Sequence, residues 1–92
     1  MKIDRYVIQA CCKRVQIVYR LDRPVDKSLI EVFKSNGFKE LVHFTQAGLI
    51  YMESMDGVVS GPIGADKLNV KCKKDNCEPF LNNIEQLLIA IP

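Results

Sequence analysis

Ninety-two residues, 48% hydrophobic and 26% charged, are enough for one packed domain and leave no room for a second core. The composition excludes a disordered chain, and thirteen basic against eleven acidic side chains, a formal charge of +2, fall short of the strongly basic balance that by itself marks nucleic-acid or acidic-membrane binders. No stretch approaches the run of about 20 apolar residues needed to span a bilayer, and Met1 to Arg5 lacks the pattern of a secretion signal, so a cytoplasmic protein with no membrane partner is expected.

From Arg14 to Leu21 the residues alternate, with Val15, Ile17, Tyr19 and Leu21 on one side and Gln16 and Arg20 on the other, the period of a half-buried strand. Upstream the pattern is two-valued: Tyr6, Ile8, Ala10 and Cys12 alternate, while Ile3, Val7, Ala10 and Cys11 fit a helical face equally well. Cys11 to Arg14 contains no Gly, Pro, Asn or Asp for a tight turn, which favours one long, bulged strand over a hairpin.

Pro24 suits the first turn of a helix, and Val25, Leu29, Val32 and Phe33 recur at helical spacing, predicting a helix over Pro24 to Asn36. Gly37 stops it. In a Schellman cap this glycine would take a left-handed conformation and set Phe38 against Phe33.

Lys39 to Thr45 and Leu49 to Met55 are rich in strand formers, joined by Gln46, Ala47 and Gly48. Asp56-Gly57 then reads as a type I′ hairpin turn into Val58 to Ser60, and Gly61 to Gly64 breaks the ladder. Lys67 to Cys72 resumes alternation, with Leu68, Val70 and Cys72 facing one way. A last helix starts near Glu78 and Pro79 and carries Phe80, Ile84, Leu87, Leu88 and Ile91 as its apolar stripe. The sum is a single α+β domain over residues 1–92, in the order β-α-β-β-β-β-α. It is expected to form a two-layer sandwich: a mostly antiparallel sheet of four or five strands with two helices on one face.

Candidate chemistry is sparse. Cys11 and Cys12 are adjacent, and Cys72 and Cys77 are spaced C-x4-C, neither of which is the C-x2-C spacing of zinc knuckles. Cys72 reads as a small buried hydrophobe by strand parity. Cys77, at a helix N-terminus near Lys73 and Lys74, is the best placed of the four to be a reactive thiolate. Whether the cysteines are free, bonded or metal-bound is left open by spacing. His43 is the sole histidine and falls on an expected strand, so no histidine cluster for metal or acid–base work exists within one chain. The glycines at 57, 61 and 64 lack the Lys and Ser or Thr of a phosphate loop and read as turn residues. Asp4, Glu31, Glu40, Glu53 and Asp66 remain as acids that only a fold could bring together.

Basic residues gather at Lys13 and Arg14 and at Lys71, Lys73 and Lys74, with Tyr19 and Tyr51 on nearby strands. No Lys or Arg, Gly, aromatic run of an RNA-reading sheet accompanies them. The middle strands are apolar on both sides, Val42, Phe44, Ile50 and Met52 against Leu41, Leu49, Tyr51 and Met55, and two helices can cover only one face. These features lead to an expected non-catalytic interaction module or accessory subunit, self-associating as a homodimer or docking a protein partner through its open sheet face. A thiol-redox or metal-thiolate protein using Cys72 and Cys77, and a weak nucleic-acid binder, are the alternatives. No catalytic residue, metal site or cofactor is assigned.

Overall fold

A computed structural model describes residues 1–11 and 14–92. Among the described residues, six strands form one sheet: β1 (Ile3–Cys11), β2 (Arg14–Leu21), β3 (Lys39–Glu40), β4 (Leu49–Glu53), β5 (Gly57–Pro62) and β6 (Lys67–Lys73). Their order is β1-β2-β6-β5-β4-β3, with every neighbouring pair antiparallel. Three helices, α1 (Ser28–Lys34), α2 (Val42–Gln46) and α3 (Cys77–Ile89), complete the α+β fold, a short 3-10 turn at Lys74–Asn76 leading into α3. Sheet and helix numbers exceed the expected four or five and two, but the class and the two packed helices stand.

The core lies between one sheet face and α1 and α3. Ile17, Tyr19 and Leu21 from β2, Leu68, Val70 and Cys72 from β6, Val59 from β5, and Ile50 and Met52 from β4 are all buried there. Leu29, Ile30 and Phe33 of α1 and Phe80, Leu81, Ile84 and Leu88 of α3 meet them. The alternation read in β2 and β6 places these side chains, since residues of one parity share a face.

Four local expectations are corrected. Ile3–Cys11 and Arg14–Leu21 are two paired strands, from Ile3 opposite Leu21 to Cys11 opposite Arg14, with the bulge between Val7 and Gln9. The absence of turn formers therefore did not prevent a hairpin, whose connecting Cys12 and Lys13 lie outside the described residues. The first helix begins at Ser28 instead of Pro24. The backbone of Val25 is engaged elsewhere: its N–H donates to the Ala65 carbonyl at 2.7 Å and its carbonyl accepts from Gly64 N–H at 2.8 Å.

Residues 42–45, expected within a strand, and Gln46, expected in the loop after it, form α2, so β3 is only two residues long. The run Val42-His43-Phe44-Thr45 is short enough to satisfy either period. The hairpin turn after β4 is centred on Met55-Asp56 and not on Asp56-Gly57: Ser54 N–H donates to the Gly57 carbonyl at 2.9 Å, and Gly57 opens β5. The Schellman cap is as expected. Gly37 has φ +90°, Phe38 N–H reaches the Phe33 carbonyl at 3.1 Å, and the two rings meet edge-on at 5.0 Å.

Candidate functional site

Because α1 and α3 share one face, the opposite parity of β2, β6 and β5 faces away from the core. Pairing register assembles that face into rows. The middle row crosses five strands as Tyr6, Val18, Asn69, Ser60 and Tyr51. Four strand spacings separate its ends, about 19 Å. One flanking row runs Gln16, Lys71, Val58, Glu53 and Lys39, and the other begins Asp4, Arg20 and Lys67.

This arrangement concentrates positive charge on two adjacent strands. Arg20 lies directly opposite Lys67, and Arg14 opposite Lys73. Arg20, Lys67, Lys71 and Lys73 are exposed. Arg20 has Asp66 at 3.7 Å, whereas among the described residues no carboxylate comes within 4 Å of Lys67, Lys71 or Lys73. Like charges directly opposite on neighbouring strands destabilise a sheet.

Aromatic rings stand at both ends of the middle row. Tyr6 is 51% exposed. At the other end Tyr51 stacks on Phe44 of α2, centroids 4.7 Å apart, and the exposed His43 ring lies 4.3 Å from Phe44. Between them Val18, Asn69 and Ser60 are short and half-buried. The outward face thus carries a middle row with aromatic rings at its ends and cationic side chains beside it, while of the apolar run Leu41, Leu49 and Tyr51 are half-buried and Val42 and Met55 exposed.

The sequence-derived candidates divide accordingly. Lys71 and Lys73 belong to the basic face, while Tyr19 points into the core and is fully buried. Lys13 and Cys12 lie outside the described residues. His43 sits on α2 and not on a strand. Tyr6, Arg20, Lys67 and Asn69 were not singled out by sequence; their strand parity signals which face they occupy, but their meeting depends on β2 lying beside β6.

Cys72 and Cys77 are joined as a disulfide between the end of β6 and the start of α3, with Cα atoms 5.2 Å apart. Both are buried, at 3% and 5% exposure, so Cys77 is not an open thiolate. The five acids do not form one group. Asp4 and Asp66 flank Arg20, Glu31 is exposed on α1, Glu53 lies opposite Lys39, and Glu40 accepts from Thr45 Oγ1 at 2.7 Å with Lys34 at 3.7 Å. Among the described residues no three His, Cys, Asp or Glu side chains gather as metal ligands, and no helix is long and apolar enough to cross a membrane.

On the helix side, Arg5 of β1 donates through Nε to Glu85 Oε2 at 2.8 Å and through Nη1 to Glu78 at 3.3 Å, and a second contact joins its Nη2 to Glu85. Tyr19 Oη donates to the same carboxylate at 2.7 Å. Burial, then the bond to Glu85, pushes the Tyr19 phenol well above its ordinary range. This cluster ties β1 and β2 to α3. A cleft of about 310 Å³ lies between the end of α1, the β4–β5 turn and the start of α3, with Phe38 and Phe80 beside Asn36, Ser54, Asp56 and Asn83. It offers one carboxylate and no nucleophile–base pair.

Compared with known proteins, the chain matches no family model, no curated protein and no solved structure.

Proposed function

We propose that this chain is a non-catalytic binding module whose working surface is the sheet face opposite α1 and α3, and that its partner presents negative charge. The observation that carries this reading is the juxtaposition of Arg20 with Lys67 across β2 and β6, with the exposed Lys71 and Lys73 farther along the same side of β6. Opposed like charges cost the sheet stability, and an anionic partner would turn that cost into binding energy. The same strip disfavours a second copy as the occupant, because a two-fold axis through the face sets cation against cation.

The test is a titration with two unrelated polyanions, heparin and polyglutamate, at low salt. Wild-type protein should bind both, with affinity falling as salt rises. Lys67→Glu with Lys71→Glu should abolish binding while leaving the fold intact, since both side chains are exposed. Absence of binding to either polyanion at low salt would remove the proposal.

A further inference from the structure

We infer that the partner is single-stranded nucleic acid, lying along the middle row with its phosphates on the flanking lysines and its bases on the aromatic ends. The inference rests on the anionic-partner reading and deepens it. Charge alone suits any polyanion. What narrows the class is that the cations border a row whose ends carry rings: Tyr6 on β1, and Tyr51 on β4 stacked on Phe44 of α2, with the exposed His43 ring against Phe44.

A nucleic-acid strand has the two recognition elements this face can satisfy. Its phosphates meet Lys67, Lys71, Lys73 and Arg20, and its bases offer flat π-faces to exposed rings. The exposed His43 ring lies 4.3 Å from Phe44, tilted 36° to it, and offers a base a face beside the stacked Phe44 and Tyr51 pair. Between the ends, Asn69 and Ser60 supply hydrogen-bonding groups in the middle of the row and are too short to block a strand. An acidic protein segment would use the lysines but has no general use for the rings. A duplex would bury its bases away from them, so single strands are the fitting form.

The row spans about 19 Å, shorter than most sites on single-strand-binding folds, so a labelled oligothymidylate of about 12 nucleotides is an adequate probe. Its binding is followed by fluorescence anisotropy on the full chain, against a duplex of the same length, heparin and polyglutamate. The expected result is a preference for the single strand, with log Kd changing with log salt at a slope of about 3 for four neutralised phosphates. Tyr6→Ala should weaken the oligonucleotide about tenfold and leave heparin unaffected, whereas Tyr6→Phe, which keeps the ring, should bind like the parent. Tyr6 is half in solvent on an edge strand, and circular dichroism of both variants checks that they fold.

The outcomes separate the two claims. No binding of any polyanion at low salt overturns both. Equal binding of heparin, polyglutamate and oligonucleotide, with Tyr6→Ala indifferent, overturns the nucleic-acid inference alone and leaves an acidic protein as the partner. Tighter binding of the duplex also overturns it. A dimer at the titration concentration that Lys71→Glu dissolves would make this face a self-interface and overturn both.

Discussion

The Phe80 ring of α3 lies so close over Gly57, the first residue of β5, that a Cβ at position 57 would come 2.7 Å from its Cε2 and 2.9 Å from its Cζ, and would collide with the Lys71 carbonyl oxygen. Backbone on one side and a packed ring on the other leave nowhere for a methyl group to go. Gly57→Ala should therefore lower stability by about 1–3 kcal/mol, the usual penalty of overpacking, read from the urea midpoint. Replacing Phe80 with Leu in the same background should recover only part of the loss, because the Lys71 carbonyl remains. An unchanged midpoint for Gly57→Ala would show that helix and sheet are not packed this closely.

Gly37 makes the opposite case. A Cβ there would meet nothing within 4 Å, yet φ is +90°. The cost of Gly37→Ala is then conformational, about 1 kcal/mol. Gly37→Asn should cost less, since Asn tolerates the left-handed region better than Ala. If Ala and Asn were equally costly, a steric cause would have to replace the conformational one.

These two glycines mark what was legible in the sequence. Gly37 is legible because its role is local: a helix stop, a left-handed residue and Phe38 folding back on Phe33 are all set within a few residues. Gly57 reads as half of an Asp-Gly turn, since nothing near it in the chain discloses that Phe80 packs on it from 23 residues away. The same division holds for the binding face. Alternation in β2 and β6 separates Arg20, Lys67 and Lys71 from the core side chains, but a charge on a strand becomes part of a patch only through its lateral neighbour. The β2–β6 pairing closes across 45 intervening residues, and only the three-dimensional order sets Arg20 beside Lys67. Residues 42–45, strand by composition and helix in the structure, differ for another reason: four residues are too few for a period of 2 to be told from one of 3.6.

Tyr19 and Glu85 make stability depend on alkaline pH. Burial and the bond to Glu85 raise the Tyr19 phenol in the folded state, while the unfolded chain ionises it near the ordinary value of about 10. A folded-state value raised above the unfolded one gives stability that is complete below about pH 10 and is lost as pH rises toward the folded value. Tyr19→Phe removes this dependence together with one hydrogen bond to a charged group, worth about 1.5–3 kcal/mol. Urea denaturation at stepped pH from neutral to alkaline should show the parent and the variant converging above about pH 10. Parallel curves throughout would mean that Tyr19 is not held protonated by its surroundings.

The Cys72–Cys77 disulfide closes a small loop, so its contribution in the chain-entropy picture is modest, about 2 kcal/mol. Its placement matters more than its size, because it fastens the last residue pairs of β6 to the first turn of α3, where Phe80 begins the apolar stripe. With the two cysteines only 3% and 5% exposed, a reductant in solution can reach the bond only when this corner opens. Mass spectrometry of the unreduced protein should show a chain lighter by about two hydrogen masses, and reduction should lower the denaturation midpoint by an amount equivalent to about 2 kcal/mol. Reduction of the folded protein should be slow and should accelerate in sub-denaturing urea, which populates the open corner. Rapid labelling of both cysteines by a thiol-reactive dye in the unreduced, folded protein would show that no such bond exists.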